Sequence, residues 1–152
     1  MEGGRVSLAG KIKLTADEMR YIALFESITG ATAKDCIIDD RQNKLIFITK
    51  EREGGLAVGR YGGKVKILKR MTGRDIDIIE YSDNPVEFIK NAFIPVKVQD
   101  VRLTEKLDGR KIVVVKIDER EKGLAIGRKG ERANRIRQLA RKYFNIDNVI
   151  II

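Results

Sequence analysis

Two series of strand-like apolar runs follow each other along the chain. Residues 44–49 and 111–116 are apolar runs rich in Ile, Val and Phe, which is typical of strands. Each series closes with a further run of this kind, at residues 75–81 and 147–152. The pattern therefore predicts two units that each end in a strand.

Helices are predicted between these strands. Val65 and Leu68 in the first series, and Ala133 and Ile136 in the second, are apolar residues spaced three apart. This spacing places each pair on one face of a helix. A short apolar helix that ends near Val58 is expected just before the first of these helices.

The first helix of each unit has its own start and stop signals. Thr15–Glu18 is a capping box, in which Thr15 caps a backbone amide and Glu18 reaches back to the cap. Gly30 suits the C-terminal end of that helix. In the second unit, Asn84–Pro85 is a cap followed by a first-turn proline, and Pro95 is expected to end the helix.

The elements give each unit the order αββααβ, which is a small α+β domain. We predict a first domain at residues 15–82 and a second at residues 83–152, and residues 1–14 stay an unassigned N-terminal extension. The last strand of the first unit and the next helix cap are only a few residues apart. We therefore expect the two domains to pack together with almost no linker.

An internal repeat supports this division. Residues 51–62 align with residues 119–130 at an offset of 68, and nine of the twelve positions are identical. A tandem duplication explains this match far better than chance.

Composition excludes several classes of protein. The 152 residues include 31 Lys and Arg, 22 Asp and Glu, one Cys and no His, for a net charge of +9. One Cys and no His exclude a Cys/His zinc site, a Ser-His-Asp triad and an internal disulfide, and they fit a reducing cytosol. The sequence has neither a signal-peptide pattern nor an apolar stretch long enough to cross a membrane. The basic surplus points to a polyanionic partner.

The positive charge is concentrated in two windows. Residues 59–74 carry six basic side chains and no acid, and residues 127–142 carry seven basic side chains and one acid, Glu131. A solvated helix face normally mixes the two signs. Two windows with almost no acid instead indicate surfaces that bind phosphates.

Each window contains a G-x-x-G loop, Gly59–Gly62 or Gly127–Gly130, between a short apolar helix and a basic helix. Two glycines let a phosphodiester backbone approach the main chain, and the following helix N-terminus attracts anions. The alternative is a tight joint between helices. A nucleoside triphosphate site is not expected, because the chain has no G-x-x-x-x-G-K-[ST] motif.

The motifs Val58–Gly63 and Ile126–Glu131, each within an αββααβ unit, resemble type II KH domains. KH domains clamp about four nucleotides of single-stranded RNA at this loop. The tandem pair, with Lys13–Thr15 and Leu24–Gly30 ahead of it, is similar to archaeal NusA-like factors. The resemblance implies a non-catalytic protein that acts on nascent transcripts in transcription termination or antitermination. Bacterial members add a polymerase-binding domain and an S1 domain, which we do not expect here.

The predicted RNA-binding residues lie in the two loops and at the start of the helices that follow. They are Gly59, Arg60, Tyr61, Gly62, Lys64, Lys66, Gly127, Arg128, Lys129, Gly130, Arg132 and Arg135. The family also implies an apolar groove beside each loop, at Leu56–Val58 with Val65 and at Leu124–Ile126 with Ala133. Core packing is an equally good interpretation of those apolar residues. We expect Tyr61 to be exposed, and Phe25, Phe47, Phe144 and Cys36 to be buried.

The partner predicted first is single-stranded RNA, and RNA polymerase or other transcription factors are further candidates. We expect no metal, cofactor, membrane or small-molecule substrate. The expected location is the cytoplasm. The alternative function is that of a ribosome-associated or RNA-processing KH protein. A small phosphotransfer enzyme or nuclease is disfavoured, because the loop windows lack the paired carboxylates that would hold catalytic metals.

Overall fold

The computed structural model describes residues 6–8 and 12–152, and the chain divides into two compact units, Met1–Tyr81 and Ser82–Ile152. The predicted boundary between residues 82 and 83 lies one residue from this division. Among the described residues, no helix combines the length and the apolar character that crossing a membrane requires.

The first unit contains the predicted αββααβ order after a pair of short strands. Its elements are β1 Val6–Leu8, β2 Ile12–Leu14, α1 Ala16–Thr29, β3 Ala33–Asp39, β4 Lys44–Thr49, α2 Gly54–Val58, α3 Gly63–Thr72 and β5 Asp75–Glu80. The order αββααβ is confirmed from α1 onward.

The second unit has the same order. Its elements are α4 Pro85–Phe93, β6 Val98–Glu105, β7 Lys111–Ile117, α5 Lys122–Ile126, α6 Glu131–Phe144 and β8 Asn148–Ile151. The predicted α+β class, with the order αββααβ in each unit, is therefore confirmed.

Local signals fix the first helix of each unit as expected. The amide of Glu18 donates to Oγ1 of Thr15 (3.1 Å), and the amide of Thr15 donates to Oε1 of Glu18 (2.8 Å), so the capping box is complete. Gly30 ends α1 with a φ of +75°, a conformation that favours glycine. Oδ1 of Asn84 accepts from the amide of Val86 (2.9 Å) at the start of α4, whose first residue is Pro85.

A turn separates α4 from β6. Strand β6 begins at Val98, three residues after the proline that is expected to end the helix. The amide of Val96 donates to the carbonyl of Phe93 (2.8 Å) in the turn that follows α4, so it is not available for pairing with a strand.

Each unit builds a three-stranded sheet with the same topology. In the first sheet β4 is central, antiparallel to β3 and parallel to β5, with Phe47 opposite Ile78. In the second, β7 is central, antiparallel to β6 and parallel to β8, with Val113 opposite Val149. A parallel pair needs a crossover connection, which α2 and α3, or α5 and α6, supply. Each glycine loop lies inside that connection.

Aromatic side chains contribute to the core of each unit. Phe25 of α1 and Phe47 of β4 are fully buried and stack, with ring centroids 4.3 Å apart. In the second unit, Phe88 is fully buried and its ring centroid lies 5.5 Å from that of the half-buried Phe144. Cys36 is fully buried, and burial raises the pKa of its thiol to about 12. The burial predicted for Phe25, Phe47 and Cys36 is confirmed.

The N-terminal extension supplies its own pairing. Strand β1 pairs antiparallel with β2, with Val6 opposite Leu14. No partner for this segment is predicted from the sequence, because the two strands have only three residues each and pair with one another. Leu14 is buried, so the end of β2 contributes to the core.

Candidate nucleic-acid interface

The two glycine loops have the same backbone conformation. The first glycines, Gly59 and Gly127, have φ/ψ values of 78°/170° and 80°/173°. Tyr61 and Lys129 both adopt a positive φ, at 56° and 55°, which non-glycine residues rarely do. The amide of the last glycine donates to the carbonyl of the first in both loops, at 3.2 Å and 3.1 Å. The repeat in the sequence is therefore also a repeat in main-chain geometry.

The first and the last glycine of each loop are accommodated for different structural reasons. A Cβ on Gly59 would lie 2.7 Å from Cγ of Lys64, and one on Gly127 would lie 2.7 Å from Cβ of Arg132. A Cβ on Gly62 or Gly130 would have nothing within 4 Å. The first glycine is thus required by close packing, whereas the last one presents open main chain with a positive φ.

A helix N-terminus follows each loop directly. Helix α3 starts at Gly63 and α6 at Glu131, and no side chain caps either start. The first amides of a helix point outward without intrahelical partners, and the helix dipole adds partial positive charge there. An anion such as a phosphate is the ligand that this arrangement favours. Glu131 places one carboxylate in the first turn of α6, whereas α3 has none.

The side chains between the glycines are exposed. Tyr61 is 88% exposed, which confirms the expectation from the sequence, and the guanidinium of Arg60 lies 5.7 Å from its ring centroid. Arg128 and Lys129 occupy the matching positions and are also exposed. The first loop therefore offers one cation and one aromatic face, and the second offers two cations.

Apolar side chains flank each loop at repeat-related positions. Leu56 and Leu124 are 46% and 56% exposed, and Val58 and Ile126 are exposed to a similar extent. The alanines between them, Ala57 and Ala125, are fully buried. Ala133 on α6 is also buried, with 3% of its surface exposed. Core packing is thus the correct interpretation for the alanines. The larger side chains leave an apolar surface beside the loop, against which a nucleobase can pack.

Two predicted phosphate contacts have partners elsewhere in the fold. Nζ of Lys64 donates to the carbonyl of Thr29 at 2.9 Å. Nη2 of Arg132 donates to the carbonyls of Phe93 and Ile94, both at 2.7 Å. These cationic groups lie at the C-terminal ends of α1 and α4. Sequence reasoning missed this role, because the partners are more than 30 residues away along the chain.

Two further predicted residues, Arg135 and Lys66, differ in accessibility. Arg135 is only 8% exposed, because it lies on a part of α6 that is buried together with Ile136. This burial leaves little of the Arg135 side chain accessible to RNA. Lys66 is exposed on α3 and remains a candidate.

Part of the second basic window stabilises the protein itself. Nε of Arg137 donates to the carbonyl of Val149 (3.0 Å), and Nη2 of Arg141 donates to the carbonyl of Asp147 (2.9 Å). These two side chains connect α6 to the segment around β8. The number of charges in a window therefore overstates how many of them face a ligand.

The carboxylate of Asp118, four residues before α5, is paired with an arginine. Asp118 accepts from Nε of Arg120 at 3.1 Å, and this hydrogen bond lowers the pKa of the Asp118 carboxyl. Within residues 6–8 and 12–152, no group of three or more Cys, Asp or Glu side chains is placed to hold a metal ion.

Comparison with known proteins identifies a family that matches this chain. A profile described as "KH domain" matches residues 19–106 and 96–151. The "Probable transcription termination protein NusA" of Methanococcus vannielii is 34% identical over 93% of this chain and 80% of its own length. The protein of the same name from Halococcus morrhuae is 32% identical over 91% of this chain and 97% of its own.

A bacterial relative and a solved structure agree with these matches. The "Transcription termination/antitermination protein NusA" of Bacillus subtilis is 39% identical, over 52% of this chain and 21% of its own length. A crystal structure of the protein APE1850 covers 91% of this chain and all of its own, with a TM-score of 0.74 and 41% identity.

Proposed function

Because this chain belongs to the family of KH-domain proteins that includes the archaeal NusA relatives, we propose that it binds single-stranded RNA without catalysing a reaction. Its place of action is the nascent transcript, in transcription termination or antitermination, and its location is the cytoplasm. The similarity to proteins named for transcription termination extends over more than 90% of the chain, which favours this role over a ribosomal or RNA-processing one.

One observation carries the proposal. Both loops keep the same positive-φ backbone and lead into a helix whose start has no side-chain cap. Main-chain amides and the helix dipole can hold a phosphate, and the second glycine of each loop leaves space for it to approach. Two different sequences, Arg-Tyr and Arg-Lys, support this backbone. The backbone is therefore the same in the two copies although the third loop residue is Tyr61 in one and Lys129 in the other.

The proposed RNA-contacting surface of each unit combines the loop with its apolar flank. In the first unit Arg60 and Lys66 contact phosphates and Tyr61 stacks on a base, and in the second Arg128 and Lys129 contact phosphates. Bases pack against the exposed side chains of Leu56 and Leu124. RNA polymerase or another transcription factor is the proposed protein partner.

Equilibrium binding with labelled single-stranded RNA, matched duplex RNA and single-stranded DNA tests the proposal. We expect the single-stranded RNA to bind most tightly, and its affinity to fall steeply with salt because basic side chains release counterions. Incubation with Mg²⁺ should leave the RNA intact. Competition by the duplex as effective as that by the single strand would contradict the proposal. Copurification with ribosomes instead of RNA polymerase would favour the alternative role.

A further inference from the structure

One basic residue after each loop packs against that loop and also contacts another helix. We call Lys64 and Arg132 the post-loop cations; they are offset by 68 residues, as the loops are. The backbone amide of each lies 3.0 Å from where a Cβ on Gly59 or Gly127 would be. The first part of each side chain therefore packs directly on the first glycine of its own loop.

The charged end of each post-loop cation reaches the C-terminal end of a helix. Nζ of Lys64 donates to the carbonyl of Thr29, the last residue of α1. Nη2 of Arg132 donates to the carbonyl of Phe93, the last residue of α4, and to that of Ile94. The last carbonyls of a helix lack intrahelical partners and carry partial negative charge, so a cation stabilises them.

The last turn of α1 has no basic residue of its own. Lys64 supplies the missing cation from a position 35 residues later in the chain. In the second unit, Nη1 of Arg132 also lies 3.5 Å from the carbonyl of Leu124 in α5. Arg132 thus connects three helices around the loop, whereas the charged end of Lys64 has one hydrogen-bond partner among the described residues, the carbonyl of Thr29 in α1.

From this geometry we propose that Lys64 and Arg132 are positioning residues for RNA binding, and not phosphate contacts. Each fixes its loop between the end of the unit's first helix and the start of the helix after the loop. This inference rests on the proposed function, because it concerns how the same loops bind RNA. It predicts that removing the charged end weakens binding through the loop conformation, with no loss of a phosphate contact.

The slope of log affinity against log salt separates the two roles. On single strands, each lost phosphate contact reduces the slope by about 0.7. We expect Arg132→Met to lower affinity for single-stranded RNA by about tenfold at every salt concentration, as when the binding-competent fraction falls to about a tenth. The slope should stay at the wild-type value. Lys64→Met should have a smaller effect, because it removes one contact.

Three comparisons complete the design. Lys129→Gln should reduce the slope, and Lys106→Met, on the exposed β6–β7 turn, gives the background effect of one lost charge. Each unit supplies the conservative change of the other, so Lys64→Arg should retain wild-type affinity and Arg132→Lys should recover most of it. Hydrogen exchange at the Gly130 amide, which donates to Gly127, should accelerate in Arg132→Met and return towards the wild-type rate in Arg132→Lys.

Three outcomes would overturn the proposal. The first is a salt slope that falls for Arg132→Met as it does for Lys129→Gln. The second is an affinity of Arg132→Met equal to that of the wild type. The third is a loss of affinity in Arg132→Met without a change in hydrogen exchange at the Gly130 amide. If Arg132→Met does not fold by circular dichroism, the same criteria apply to Lys64→Met, with exchange measured at the Gly62 amide, which donates to Gly59. A wild-type protein without salt-dependent binding to single-stranded RNA would instead refute the proposed function itself.

Discussion

Replacing the last glycine of a loop by aspartate tests whether phosphate approaches the open main chain. We compare Gly130→Asp with Gly62→Asp, two positions at which a Cβ meets nothing within 4 Å and φ is +73° or +70°. The added carboxylate would stand near the bound phosphate. Two unit charges 4 Å apart repel by about 1 kcal/mol in bulk water and about 4 kcal/mol at an effective dielectric constant near 20. For an exposed loop we expect about 1–2 kcal/mol, a loss of about 5- to 30-fold in affinity.

The second loop should be the more sensitive of the two at low salt. It carries Lys129 where the first loop carries Tyr61, so it offers one more cation to the phosphates. Stacking of Tyr61 on a base contributes about 1–3 kcal/mol and does not depend on salt in the same way. Raising salt from about 50 to about 200 mM weakens a single phosphate contact by about two- to threefold. The excess loss in Gly130→Asp over Gly62→Asp should shrink by about that factor.

The assay is fluorescence anisotropy with a labelled single-stranded RNA at both salt concentrations. Gly109→Asp and Gly73→Asp are matched controls, because both glycines have a positive φ and open space at Cβ but lie outside the loops. They add the same charge and the same backbone strain. Circular dichroism checks folding. If Gly130→Asp and Gly62→Asp fold and bind as well as the controls, the loops are structural joints and the proposed interface is wrong. A larger loss in Gly62→Asp at low salt would show that stacking outweighs charge.

Two further predictions use the remaining features of the chain. A KH domain holds about four nucleotides, so the two units together are expected to occupy a site of about eight or more nucleotides. Fragments 1–82 and 83–152 should each bind RNA far more weakly than the whole chain, because each loses the effective concentration that the other unit provides. Equal affinity of one fragment and the whole chain, measured by the same anisotropy assay, would refute this. The raised pKa of Cys36, about 12, keeps the thiol protonated at neutral and mildly alkaline pH. Iodoacetamide should therefore label it slowly in the folded protein and rapidly in urea, and equal rates would contradict its burial.

Local sequence signals were sufficient for the order of elements and for the location of the loops. The capping box at Thr15 and Glu18 and the cap at Asn84 act within one helical turn, so their effect can be read from neighbouring residues. The offset of 68 residues aligns the two loops in the sequence alone. The predicted exposure of Tyr61 followed from its place between two glycines, and the structure confirms it.

The tertiary structure decided where the charged ends of the basic side chains lie. The sequence counts Lys64, Arg132 and Arg135 as positive charges near a loop, but their partners and burial depend on elements that are distant along the chain. Lys64 and Arg132 end on carbonyls 35 to 40 residues away, and Arg135 is buried. A long, flexible cationic side chain can reach solvent, a phosphate or a helix end from the same Cα. Which of these it contacts depends on the helix-end carbonyls that folding brings within its reach.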